Sequence, residues 1–255
     1  MQILYAIIDI LCFVIFAIVS GAIIYGLYYI ANLENLHHNS SSSGESYVNN
    51  IPAESDIKGA LGESYVNNIL IQYESKGYKI LRNVYLKKRD GATTEIDLLL
   101  ITDRNIIVFE SKNYSGWIFG NDNSDYWTQC LPAGRTSLKT KFYNPIKQNN
   151  LHCAVLRYYV SSYVSSNIPI HSVVCFSDDC TFKDVSIGKS SCIVCHYSDI
   201  ENVVNRLLEH DAGSKLDTTK IFSKLVKFTN VPESIRQEHI RNINSRHTKN
   251  TIGFR

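Results

Sequence analysis

The stretch Thr93 to Asn113, TTEIDLLLITDRNIIVFESKN, leaves a chain few ways to fold. Two runs of branched apolar residues, Thr94 to Ile101 and Ile106 to Phe109, flank Thr102-Asp103-Arg104-Asn105, whose side chains favour a tight turn. The spacing predicts an antiparallel hairpin. With an even-numbered loop centred on Asp103-Arg104, facing residues have numbers that add to 207. Ile101 then opposes Ile106, Asp97 opposes Glu110, and Glu95 opposes Lys112. Alternation along a strand puts Glu95, Asp97, Glu110 and Lys112 on one face. Opposed Cβ atoms lie about 4.5–5.5 Å apart. Asp97 and Glu110 are therefore placed to hold one hard divalent cation between them, with Lys112 beside it. A three-residue loop with a bulge would shift the register and dissolve this cluster. The ordinary alternative is a solvated sheet face with Glu95 and Lys112 as a cross-strand ion pair. Against it, two opposed acids without a cation repel, and both flanks are strongly apolar. A polar cluster in an otherwise buried hairpin is where a site is expected.

Asp97, twelve residues, then Glu110-Ser111-Lys112 resembles the D…ExK core of the PD-(D/E)xK nuclease superfamily. The surrounding residues narrow the likeness. Gly59-Ala60-Leu61-Gly62-Glu63, Glu95-Ile96-Asp97, Glu110-Ser111-Lys112-Asn113, Gly116 and Gly120, and Asn144-Pro145-Ile146-Lys147-Gln148 with His152 are similar to the NERD (nuclease-related) domain. The resemblance covers about residues 57 to the 190s. A lone ExK is a weak signal, whereas five motifs in order are a strong one. The resemblance implies an α/β fold, a restriction-endonuclease-like central mixed sheet flanked by helices. It implies Mg²⁺ or Mn²⁺ held by Asp97, Glu110 and the Ser111 carbonyl, with Lys112 orienting the attacking water or stabilising developing charge. It makes Glu63 a third acid, and gives Gln148 and His152 positioning or DNA-contact roles. In this chain Ile96 stands where the wider superfamily has Pro, a position without chemistry.

The rest of the chain surrounds this core. Residues 3–30 are apolar apart from Asp9 and a few small or aromatic polar residues, long enough to span a bilayer with tilt. A cleaved signal peptide needs a basic start and a shorter apolar core, and no Lys or Arg precedes Lys58. One retained transmembrane helix is expected over 1–31. Its orientation cannot be read from flanking positive charge. A Ser-rich linker is expected over 32–55, with Pro52 blocking a continuous helix. GESYVNNI at 44–51 recurs unchanged at 62–69 and is read as a local duplication without chemistry.

Asp56 to Ser75 predicts an amphipathic helix, with Asp56 as N-cap, Leu61, Tyr65, Ile69 and Tyr73 on one row, and Val66 and Leu70 beside it. Glu63 borders that stripe, where it also complements the helix N-terminus. Gly59 and Gly62 suggest close approach of helix and sheet. A first strand is read at 78–86, a basic turn at 87–91, and strand-like aromatics at 116–127 with Asp122 and Asp125 as turn residues. Asn144 and Pro145 open a second helix as N-cap and first residue, with Gln148, His152, Val155, Leu156 and Tyr159 on one face. Lys139, Lys141 and Lys147 are read as a solvated surface or as phosphate attraction. Later strands are expected at 171–176 and 191–195, and a helix at 200–210.

Seven scattered cysteines, mostly in apolar runs, suggest reduced core residues of a cytosolic domain. Cys192-Ile193-Val194-Cys195-His196 matches a c-type haem pattern, but in a strand its two cysteines face opposite sides. A zinc site from Cys175, Cys180, Cys192 and Cys195 has the wrong spacing. With a formal charge of +2 the chain as a whole selects no partner. From Ala212 onward nine Lys and Arg stand against three acids, a basic end suited to nucleic acid or anionic lipid.

These features give the expected organisation: anchor 1–31, linker 32–55, NERD domain 56–210, basic tail 211–255. The expected function is metal-dependent hydrolysis of nucleic-acid phosphodiesters, DNA foremost, at a bacterial inner membrane with the domain in the cytoplasm. The rival readings are a silent nucleic-acid-binding membrane tether and a Cys-based metal or redox protein. The sequence does not fix endonuclease against exonuclease action or the oligomeric state.

Overall fold

The computed structural model describes residues 54–134, 136–161, 168–188, 190–210 and 215–252. The expected anchor, nearly all of the linker and the first GESYVNNI copy lie outside them. Among the described residues, no helix is long and apolar enough to cross a membrane.

The hairpin forms as the central feature. Strands β1 (Lys79–Lys87), β2 (Thr93–Ile101) and β3 (Ile106–Lys112) lie in one sheet with β7 (Ile170–Phe176) and β9 (Ile193–His196), in the order β1-β2-β3-β7-β9. β2 runs antiparallel to both of its neighbours, β1 and β3, whereas β3, β7 and β9 run parallel. The turn between β2 and β3 is closed by Thr102, whose hydroxyl bonds the Asn105 carbonyl and side chain and accepts the Arg104 and Asn105 N–H groups. It sets the register at Ile101–Ile106. Every residue from Ile106 to Glu110 is buried, as a strand covered on both faces requires.

Each face of this sheet is capped by helices. On one, Val66 and Leu70 of α1 (Glu54–Leu70), Tyr73 of the following 3₁₀ turn and Ile200, Val203 and Val204 of α3 (Ile200–His210) pack on Leu98, Leu100, Ile107 and Phe109. On the other, Leu156 and Val160 of α2 (Pro145–Ser161) and Ile221 and Leu225 of α4 (Thr218–Leu225) pack on Leu99, Ile101, Ile106 and Val108. Each such side chain contributes about 1.5–3 kcal/mol when fully buried.

A second sheet, in the order β6-β5-β4-β8, is formed by β4 (Gly116–Asn121), β5 (Tyr126–Ala133), β6 (Thr136–Tyr143) and β8 (Cys180–Ser186). The sequence reading has one sheet and does not anticipate this one. Its β6 is exposed along its length except at Phe142, so no apolar alternation marks it. Trp127 and Phe142 bury against Phe176, with the Trp127 and Phe176 rings stacked at 6.0 Å.

Three local expectations change. The first helix begins at Glu54, so Asp56 lies in its first turn and is not its N-cap. Its buried row is Gly62, Val66 and Leu70, while Leu61 and Tyr65 are exposed. The rotation follows from Gly62: a Cβ there would sit 2.8 Å from Asn113 Cβ and 3.1 Å from Ser111 Oγ, so this bare face approaches β3 most closely. Gly59, by contrast, has open space around it. The segment from 215 onward is also not simply a solvated tail. Leu216, Ile221 and Leu225 are core residues, and α5 (Glu233–Ile252) buries His239.

Candidate active site

β2 does not stay regular to its start. Ile96 packs on the α2 face of the sheet and Leu98 on the α1 face. Residues two apart share a face in a regular strand, so β2 rotates at Asp97. The β1–β2 ladder omits the Asn83–Asp97 pair, and Asn83 has a left-handed φ of 51°. The β2–β3 ladder follows the expected register from Ile101–Ile106 to Leu98–Phe109 and stops there. The expected pairs Asp97–Glu110 and Glu95–Lys112 are therefore not ladder pairs. In place of a main-chain acceptor, the Asp97 carboxylate takes the Ser111 N–H at 2.8 Å. The strands part at the acids, and the site sits where they part.

Glu110 is 1% exposed. Lys112 Nζ donates to its Oε1 at 2.5 Å, and His152 Nε2 lies 3.1 Å from its Oε2. While Glu110 is ionised, that Nε2 carries the hydrogen, and Nδ1, 2.8 Å from Thr94 Oγ1, is held by the threonine hydroxyl. Gln148 Oε1 is 3.4 Å from Lys112 Nζ. α2 thus aims both expected polar residues at β3. Asn144 starts the helix by accepting the Ile146 N–H, and its amide bonds the Asn121 and Ser124 carbonyls of the β4–β5 turn. Asn149 then ties α2 to the sheet through the Val108 and Val173 carbonyls and the Ser172 hydroxyl.

Glu63 comes from α1, turned toward the same cluster. Burial, then the Glu95 charge, raises its pKa from 4.5 to about 7, with Glu110 adding and Arg82 and Lys112 opposing. Burial, then Glu110 and Glu63, pushes Asp97 well above the carboxylate range. Burial would raise Glu110 too, but Lys112 and His152 hold it below the usual value. Burial would lower Lys112, but Glu110 and other neighbours keep it above the ordinary lysine value. Glu110 and Lys112 thus form an ionised pair, and Asp97 and Glu63 share the cost of further negative charge.

All seven residues singled out in the sequence (Glu63, Asp97, Glu110, Ser111, Lys112, Gln148 and His152) border this cluster. Two neighbours, Tyr197 and His239, carry no sequence signal. Tyr197 bonds the Ser111 hydroxyl at 2.7 Å and stacks on Tyr65, and only the fold brings it there. Glu95 meets His239 of α5 at 3.7 Å rather than Lys112. The sequence reads Thr94 as a strand residue, and its contact with His152 needs the helix above it. Asp122 and Asp125 are turn residues: Asp122 accepts the Gly188 and Ser190 N–H groups, and Asp125 pairs with Lys147. Cys192 and Cys195 pack on opposite sides of the first sheet. The six described cysteines are free thiols, five of them buried.

Residues 58–177 match the nuclease-related domain, NERD. The match runs from the first turns of α1 to the end of β7 and includes all seven residues. It ties the chain to a nuclease-related function and to nucleic acid in general. The chain is also 26% identical over 176 residues to an uncharacterized protein of Bacillus anthracis, across 69% of this chain and 79% of that one. No solved structure matches the chain. β8, β9, α3, α4 and α5 lie beyond the NERD match, so Tyr197 reaches Ser111 and His239 reaches Glu95 from outside it.

Proposed function

We propose that this protein is a metal-dependent nuclease of the PD-(D/E)xK type that hydrolyses phosphodiester bonds, in DNA foremost. The observation that supports it best is the Lys112–Glu110 pair set beside Asp97 where β2 and β3 separate, with Glu63 completing the acids. A module that only bound phosphate would gain nothing from buried acids at its centre.

Among the described residues, no three His, Cys, Asp or Glu side chains already converge at metal-ligand spacing. The donor chemistry nevertheless suits a hard cation. The groups are oxygens, and Asp97 and Glu63 hold protons tightly because of burial and neighbouring carboxylates. A divalent cation would replace those protons. Asp97, Glu110 and the Ser111 carbonyl would hold Mg²⁺ or Mn²⁺, which would polarise a phosphate oxygen and acidify an attacking water. Lys112 stays protonated and offers its N–H groups to charge developing on the phosphate or to the water. His152, fixed by Thr94, holds Glu110 in place. Gln148 restrains the lysine. Glu63 accepts protons once ionised. The apolar run at 3–30 and the buried free thiols support a membrane-anchored protein with this domain in the cytoplasm.

The silent tether remains a second reading, because both Glu110 oxygens are already occupied by Lys112 and His152. Incubating the full chain with linear, circular and single-stranded DNA and with RNA separates the two. Cutting with Mg²⁺ or Mn²⁺, lost with chelator and in Glu110→Ala and Lys112→Ala, is the expected outcome. Salt-sensitive binding without cutting in wild type and variants alike selects the tether.

A further inference from the structure

The helix farthest along the chain lies against the acids. His239 of α5 is buried, its Nδ1 3.0 Å from Thr93 Oγ1 and its Nε2 3.7 Å from Glu95 Oε2. Its ring meets Tyr85 edge-on at 5.7 Å. One turn earlier, the Arg236 guanidinium stands over the same Tyr85 ring at 6.0 Å. Tyr85 pairs with Glu95 across the β1–β2 ladder, three residues from Arg82. Arg82 in turn is an electrostatic neighbour of Glu63, as Arg236 is of Glu95. Two cations thus flank the acids on the side away from α2, one from β1 and one from α5.

Both guanidiniums have an unfinished hydrogen-bond inventory. The Nε atoms of Arg82 and Arg236 are buried without a partner. A buried N–H of a charged group left unpaired is costly. A planar fork of N–H donors is completed best by a phosphate or carboxylate, which it grips at two points. The nearby carboxylates Glu63 and Glu95 leave these Nε atoms unbonded, and burial closes them to an incoming oxygen. Both arginines are only partly buried, and a phosphate arriving from solvent would bond their outer N–H groups.

We propose that Arg236 and Arg82 form a phosphate-binding wall that takes a nucleic-acid backbone phosphate next to the one at the acids, with His239 docking α5 in place. The proposal rests on the reading of the site as one that acts on nucleic acid, and adds to it a function for a helix outside the NERD match. The anionic oxygens of the phosphate accept from the guanidiniums. The adjacent scissile phosphate is then presented to Lys112. His239 is a positioning residue, and the two arginines contact the substrate.

The test is binding of the full chain to a labelled DNA duplex and to its single strand, with chelator present so that nothing is cut. The dissociation constant is read across a salt series. Arg236→Gln and Arg82→Gln are each expected to weaken binding and to flatten the log–log salt slope by about one unit, the loss of one phosphate contact. Arg236→Lys is expected to keep the slope while binding more weakly, because it retains the charge and loses the fork. Melting curves show whether each variant is folded. If Arg236→Gln does not fold, Arg82→Gln and Arg236→Lys decide. An unchanged slope in folded Arg82→Gln or Arg236→Gln overturns the wall and leaves the arginines as internal partners of Glu63 and Glu95. Cleavage by wild type with an unchanged slope in the variants rejects the wall alone. A flattened slope without any cleavage rejects the nuclease alone.

Discussion

Glu63 carries the clearest pH signature at the level of single residues. Its native pKa of about 7 lies above its ordinary 4.5. Between those values the native state keeps a proton that the unfolded chain has released, so stability falls as pH rises through the window and levels off above it. Glu63→Gln removes that dependence. In urea titrations the variant is expected to match wild type at low pH and to be the more stable protein above neutrality. Equal stability at both ends would mean that Glu63 is not held in the acidic cluster. The same proton competes with a bound cation and blocks Glu63 as a base, so cleavage is expected to rise with pH. The sequence identified this residue through its motif and its place near a buried stripe. Its elevated proton affinity needed the third dimension, because Glu95, which raises it most after burial, sits on another element.

Elements set how far those residues can be trusted to meet. α1 delivers Glu63 only because Gly62 lets the helix lie against β3. A methyl group there would stand 2.5 Å from the Tyr197 hydroxyl and 2.8 Å from Asn113 Cβ. The tyrosine oxygen can swing away, but Asn113 Cβ is fixed to the backbone. Gly62→Ala is expected to lift α1, cost about 1–3 kcal/mol in a urea melt and lower cleavage further than that loss of stability accounts for. Full activity in a folded Gly62→Ala chain would show that Glu63 does not need this approach. The hairpin, its register and α2 were legible because each carries a local rule: turn chemistry, period-two apolar runs, and an Asn-Pro start. The end of the β2–β3 ladder was not, because strict alternation hides a strand that rotates at Asp97. Nor was the second sheet. The exposed run Thr136–Lys141 looks like a lead into a helix until β5 pairs with it. α5 reads as a basic tail because His239 and Arg236 find their partners about 140–150 positions earlier in the chain.

Taken whole, the molecule concentrates negative charge at one parting of strands while its formal charge is only +2. A cation bound there stabilises the native state alone, so Mg²⁺ at a hundredfold excess over its dissociation constant is expected to add about 2.7 kcal/mol to unfolding. Asp97→Asn is expected to lose that increment. Identical denaturation curves with and without Mg²⁺ in wild type would remove the cation from the site. The buried thiols have a further use. Burial raises Cys153 and Cys195 to about 12 and Cys180 and Cys192 to about 11, and Cys175, against the Glu110 carbonyl, well above the ordinary thiol. Cys153 is partly exposed, whereas the buried thiols meet an alkylating reagent only when their surroundings open. The unmodified protein therefore carries its own set of clocks, one on α2, one on the strand beside the acids, others in β8 and around β9. The order in which they are labelled reads out which layer breathes first, and a ligand that locks the acidic cleft should slow Cys175 and Cys153 ahead of the rest.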